Sequence, residues 1–221
     1  MTHKVHPYAH RLGLLTDWRS RWFGGRDNYQ AFLRTDVLVR EFLEKKLRGF
    51  YVSAVEMERG ANYWRVIIKT SRPGMVIGRS GEGATKLRQE VLAYAKKIEG
   101  VIPRDFKIDI EEVKNPDADA AIVAFNVAEG LEKRLPFRRV LKQTTEKVLA
   151  ARGVDGVRID VSGRLGGAEI ARKESLKKGR LPLQTLRANI DFAREKAYLS
   201  YGVIGVKVWI YKGQVFDEIK K

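Results

Sequence analysis

The sequence predicts an α+β protein: an extended basic N-terminal arm over residues 1–34, a first domain over 35–113 and a second over 114–221. Three observations predict it. The apolar run Val66-Ile67-Ile68 passes into Gly78-Arg79-Ser80-Gly81 and then into a helical pattern, which joins strand to helix through a glycine loop. Asn115-Pro116-Asp117 breaks the pattern and marks a boundary. Beyond it, two helical stretches give way to the alternation Val157, Ile159, Val161, so the second domain reads as two helices packed on a mainly antiparallel sheet.

Residues 1–34 hold Pro7, the pair Gly24-Gly25, and Trp18 and Trp22 among arginines, with no sustained period; this reads as an arm that orders on a partner. From a cap at Asp36, Val37, Leu38, Phe42 and Leu47 fall at helical spacing over 36–48. Val52–Met57 and Trp64–Ile68 read as paired strands around Arg59-Gly60-Ala61-Asn62. After the loop, residues 82–98 form a helix with Leu87, Val91, Leu92 and Ala95 inward, and 106–110 alternate as a strand. Asp117 caps a helix that reaches Leu135, and Pro136 starts another with Phe137, Val140, Leu141, Thr144, Val148 and Leu149 inward. Further strands run through Val206-Lys207-Val208-Trp209-Ile210. Residues 186–200 carry helical propensity but fit short strands equally well.

Lysine and arginine outnumber the acids by 43 to 27, a net charge of +16 over 221 residues. The natural partner of such a surface is a polyanion, either nucleic acid or an anionic membrane face. No apolar run approaches the roughly 18 residues a span requires, and no signal-like segment opens the chain, so nucleic acid is expected, with no membrane partner and a cytoplasmic location. The absence of cysteine excludes disulfides, thiolate metal sites and a cysteine nucleophile. More than half of the positive excess follows residue 113, so the second domain should supply most of the salt-sensitive affinity.

The glycine loop decides what kind of binder this is. Two glycines let backbone approach another chain closely, and a helix opening behind them presents amide N–H groups to an anion. No Gly-Lys-[Ser/Thr] follows, which excludes a P-loop, and no G-x-G-x-x-G can be laid over 78–86, which excludes a dinucleotide fingerprint. Ile77-Gly78-Arg79-Ser80-Gly81 instead resembles the loop of a KH domain, which clamps the backbone of single-stranded nucleotides. The order helix, strand, strand, loop, helix, strand is that of the type II KH fold. The plain alternative is an ordinary strand-to-helix turn.

A second resemblance spans the chain. Lys4-Val5-His6-Pro7 with Arg11-Leu12-Gly13, the run Trp18–Phe23, the KH loop, and Ser162-Gly163-Arg164-Leu165-Gly166-Gly167-Ala168-Glu169-Ile170-Ala171-Arg172 resemble the third protein of the bacterial-type small ribosomal subunit. So do Gly179–Leu183, Thr185–Ala188 and Tyr201–Ile210. The resemblance implies a structural constituent of the small subunit that binds its rRNA in the lower head and positions mRNA at the channel where it enters. It implies the tenth and fourteenth small-subunit proteins as neighbours, with the second and fifth nearby. The resemblance does not separate a bacterial from a plastid ribosome, and the lack of an appended transit segment favours the bacterial one. Thr2, Ser80 and Gly83 depart from the family pattern.

The expected RNA-binding residues are Gly78, Arg79, Ser80 and Gly81 in the loop, Arg138, Arg139 and Lys142 on one helix face, and Arg164 and Arg172 in the glycine-rich run. Arg79 is the one cation between the loop glycines. Arg138, Arg139 and Lys142 concentrate like charge three and four residues apart; a solvated face is the alternative, and the resemblance implies mRNA. Arg164 is read either as an rRNA contact or as part of a tight bend. His3, His6 and His10 have a ligating spacing but no apolar second shell, so no metal is expected. Neither convergent carboxylates nor a base–nucleophile pair appears, so no catalysis and no cofactor are expected. The alternative function is a free-standing KH regulator outside the ribosome.

Overall fold

The structure, a computed structural model, describes residues 5–60, 62–98, 103 and 105–216. In chain order the elements are α1 (Pro7–Arg11), β1 (Ser20–Arg21), α2 (Arg26–Lys46), β2 (Val52–Arg59), β3 (Tyr63–Thr70), α3 (Pro73–Ile77), α4 (Glu82–Lys97), β4 (Asp105–Glu112), α5 (Ala120–Glu132), α6 (Phe137–Ala150), β5 (Gly156–Gly163), β6 (Arg172–Gly179), β7 (Ala188–Leu199) and β8 (Gly202–Gln214). They form two units, residues 18–114 and residues 5–17 with 115–216. The segment read as one arm is therefore divided: its first part belongs with the second unit, its remainder with the first.

In the first unit a sheet of order β1-β2-β3-β4 is covered on one face by helices. β2 and β3 are antiparallel; β1 and β4 join them in parallel. Alternation along β2 and β3 turns Val55, Met57, Trp64, Val66 and Ile68 inward, where they meet Val39 and Leu43 of α2 and Leu87, Val91 and Ala95 of α4. On the opposite face Arg21 pairs with Glu56 and Glu58, Lys69 with Glu56, and Arg65 with Glu58 and Asp109. The cations of that face are thus committed to carboxylates.

Helix α2 starts ten residues before the expected cap at Asp36. Trp22 packs against Tyr29 at 5.3 Å and Phe32 at 5.7 Å, and this aromatic cluster supports a first turn that sequence periodicity does not announce. Asp36 lies inside the helix, buried, and accepts hydrogen bonds from Arg59 Nε at 2.7 Å and Trp22 Nε1 at 2.8 Å.

The second unit has a wholly antiparallel sheet of order β6-β5-β8-β7. α5 and α6 cover one face, packing Val123, Val127, Leu131, Val140, Leu141 and Val148 on Val157, Ile159, Val161, Val206 and Val208. The cap of α5 is Asp119, not Asp117: residues 116–118 make a single 3-10 turn, and the Asp119 carboxylate accepts from the N–H groups of Ala121 at 3.0 Å and Ile122 at 3.2 Å. Thr145 rather than Thr144 is fully buried in α6, its hydroxyl donating to Leu141 O at 2.7 Å. Residues 188–199 form β7, because pairing along β8 outweighs the helical propensity of Ala193-Arg194-Glu195-Lys196-Ala197.

The outer face of this sheet carries Ile190, Trp209, Tyr211 and Phe192. The His6 ring meets Phe192 edge-on at 4.9 Å. Arg11, 1% exposed, donates to the carbonyls of Ala188 at 2.6 Å, Pro7 at 3.0 Å, and Leu183 and Thr185 at 2.9 Å. Burial pulls its pKa below the ordinary guanidinium value.

Candidate nucleic-acid interface

The glycine loop of the first unit joins α3 to α4. Gly78 has φ +72 and ends α3, Arg79–Gly81 make one 3-10 turn, and Gly81 at φ +81 opens α4. Ser80 between them is itself left-handed, at φ 53 and ψ 18. A Cβ on Gly81 would meet nothing within 4 Å, so the backbone there is open to approach. Gly83 is different: a Cβ would lie 2.7 Å from Val76 O and 2.8 Å from Ile77 O. With glycine at 83, the start of α4 lies against the end of α3 with no room for a side chain between them. Arg79 and Ser80 are exposed, and among the described residues Arg79 pairs with no carboxylate.

The helix-face cations lie on the second unit. Phe137, Val140 and Leu141 turn α6 inward, which leaves Arg138, Arg139 and Lys142 exposed. They are not equivalent. Arg138 Nη2 sits 3.4 Å from Glu174 Oε1 of β6, whereas Arg139 and Lys142 pair with no carboxylate among the described residues. Arg172 belongs to the same neighbourhood, with Nε 4.0 Å from Glu174 Oε1. Its guanidinium lies 5.9 Å from the Phe137 ring centre, and that of Arg138 lies 5.6 Å from it. Sequence reasoning missed Glu174 and Phe137 as members of this cluster. The spacing of Arg172 and Glu174 puts both on one face of a strand, but only if residues 172–179 are first recognised as a strand.

Arg164 is engaged within the chain: its Nε donates to Ala168 O at 2.9 Å and its Nη1 to Tyr201 O at 3.3 Å. Gly166 and Gly167 behind it have φ +68 and +83, with Leu165 buried between Arg164 and the glycines. The bend is built by these residues, and the guanidinium clamps it. His6 and His10 fall in α1 and its neighbouring contacts, and His3 lies outside the described residues. Among the described residues no three His, Asp or Glu side chains gather as a metal site, and no helix is long and apolar enough to cross a membrane.

Residues 38–118 match the family model described as KH domain, and residues 127–210 match that of ribosomal protein S3, C-terminal domain. The small ribosomal subunit protein uS3 of Alkalilimnicola ehrlichii is 48% identical over 217 residues, covering 98% of this chain and 92% of its own. That of Caldicellulosiruptor saccharolyticus is 46% identical over 218 residues, covering 99% and 95%, and that of Desulforamulus reducens 46% over 221 residues, covering 100% and 96%. The chain belongs to the uS3 family. This is the family the glycine-rich run resembles, and it is one of structural ribosomal proteins rather than enzymes. The uS3 matches also fit the observed division into a KH fold and a following helix-on-sheet domain.

Proposed function

We propose that the chain is a structural constituent of the small ribosomal subunit that binds small-subunit rRNA in the lower head and holds mRNA where it enters. The full-length similarity to uS3 proteins carries this reading. Within it, Gly78, Arg79, Ser80 and Gly81 approach RNA backbone, and Arg138, Arg139, Lys142 and Arg172 contact phosphates, positioning RNA without reading bases. Arg164 contributes mainly by holding its bend, since two of its donor groups are already used. The tenth and fourteenth small-subunit proteins are its proposed neighbours, with the second and fifth nearby, in the bacterial cytoplasm.

Sedimentation decides between this and a free KH regulator. A tagged copy expressed in a bacterial host co-sediments with the small subunit through a high-salt gradient. A protein that stays at the top of the gradient is the regulator instead.

A further inference from the structure

Two like-charged guanidiniums, from different elements, converge on one ring and one carboxylate. Phe137 opens α6 with its ring partly buried against the core, and Arg138 and Arg172 lie over it at 5.6 and 5.9 Å. Glu174, two residues along β6 from Arg172, brings Oε1 to 3.4 Å from Arg138 and 4.0 Å from Arg172. Convergence of two cations is unfavourable without an anion between them, and the carboxylate supplies it. One anion does not neutralise two cations, so the cluster remains positive. The arginine side chains stay 72% and 52% exposed, which leaves part of each planar donor fork facing solvent. Lys178, further along the same strand, is instead paired with Glu146 at 3.5 Å.

We propose that Glu174 is a positioning residue that gathers Arg138 and Arg172 into a two-guanidinium seat for one backbone phosphate of single-stranded RNA. Phe137 is the platform of the seat, and phosphate oxygens accept from both forks. The proposal rests on the reading of the α6 face as an RNA surface.

Charge counting and positioning give opposite signs when Glu174 is neutralised. Removing a carboxylate from a cationic surface strengthens RNA binding if Glu174 only opposes the phosphate, and weakens it if Glu174 organises the arginines. The test is the affinity of the full chain for a single-stranded uridine homopolymer across a salt series. Glu174→Gln is expected to weaken binding about two- to fivefold, the range of an exposed ion-pair network, and to lower the slope of log affinity against log salt by about 0.7, one phosphate's share. In an R138A/R172A background the same change should leave binding unaltered or tighten it. Tighter or unchanged binding of E174Q in the natural background overturns the proposal, as does weakening in the R138A/R172A background. R139A/K142A separates this from the parent reading: if that pair leaves affinity unchanged, the α6 face is not an RNA surface at all.

Discussion

Asp36 and Arg59 form a buried ion pair that ties the middle of α2 to the end of β2. The carboxylate accepts from Arg59 Nε at 2.7 Å, with Nη2 in ion-pair contact with the same oxygen at 2.6 Å, and Trp22 Nε1 donates to its other oxygen at 2.8 Å. Both side chains are almost wholly enclosed, with the Arg59 guanidinium 4.1 Å over the Trp64 ring. Burial pulls the Arg59 pKa down, opposed by the attraction and hydrogen bonding of Asp36.

Removing one partner strands the other charge. Asp36→Asn is therefore expected to destabilise the first unit by about 3–5 kcal/mol. Trp18, Trp22 and Trp64 all lie in that unit and Trp209 in the other, so urea unfolding followed by fluorescence in a W209F background reads it alone. A loss below about 1 kcal/mol, the scale of an exposed pair, contradicts the assignment.

Two glycines near the loop are required for different reasons, and alanine distinguishes them. Gly81→Ala meets no atom and bears only its left-handed backbone, at a cost of about 1–2 kcal/mol. Gly83→Ala drives a methyl group onto the Val76 and Ile77 carbonyl oxygens, so α3 must move relative to α4. Thermal unfolding should rank Gly83→Ala as the more damaging of the two.

Why some of this was legible and some not follows from the range of the contacts. Leu87, Val91 and Ala95, or Val157, Ile159 and Val161, advertise their faces by spacing alone. The start of α2 does not, because Trp22, Tyr29 and Phe32 support it through contacts that resemble an irregular aromatic arm in sequence. β7 exists through pairing with β8, against local propensity. Arg11 shows the limit most sharply: a fully buried guanidinium satisfied by backbone carbonyls leaves no partner residue type to search for. At the candidate interface, the cations were legible as a pattern. Their carboxylate Glu174 was not, because it reaches them from a different element.

Acid should weaken both units through identifiable carboxylates. Burial alone would raise the Asp160 pKa, but hydrogen bonds from Arg158 and Lys173, with their charges, outweigh it and hold the group below its ordinary value. Glu58 is held low chiefly by its hydrogen bond from Arg21. A group depressed in the folded state adds stability that is complete above its unfolded pKa and is lost as pH falls through the folded one. Asp160→Asn should lower the melting temperature at neutral pH and flatten its decline below the ordinary carboxylate range. A decline as steep as that of the natural chain contradicts this.

The loop can be tested without unfolding it. Asp tolerates the left-handed conformation that Ser80 adopts, so Arg79→Asp with Ser80→Asp places two negative charges at an intact loop. Affinity of the full chain for single-stranded RNA should fall at least tenfold at moderate salt, as repelled phosphate predicts, with the circular dichroism spectrum unchanged. Unaltered affinity marks this loop as a scaffold for protein docking. A fragment beginning at residue 35 is unsuitable, since it cuts α2 beside the buried Thr35 and Asp36.

On the second unit, alanine at Arg138, Arg139 and Lys142 preserves helix propensity and the inward face of α6. Ribosomes carrying the triple substitution should assemble and translate unstructured messages at nearly normal rates, yet slow on messages with a stable downstream hairpin. Elongation rates on matched messages measure this. An equal slowdown on both, or none on either, assigns the three charges to rRNA or to solvent.

Arg11 also fixes an order of events in time. Its acceptors at Leu183, Thr185 and Ala188 are made long after it, with the whole of residues 18–114 in between. As the chain is synthesised, the KH unit has every partner it needs while residues 5–17 still lack the sheet on which they rest. A chain halted before Leu183 therefore carries a complete KH unit and an undocked leading segment. Residues 5–17 are among the last parts to reach their native place, and their docking signals that the far strands have been made.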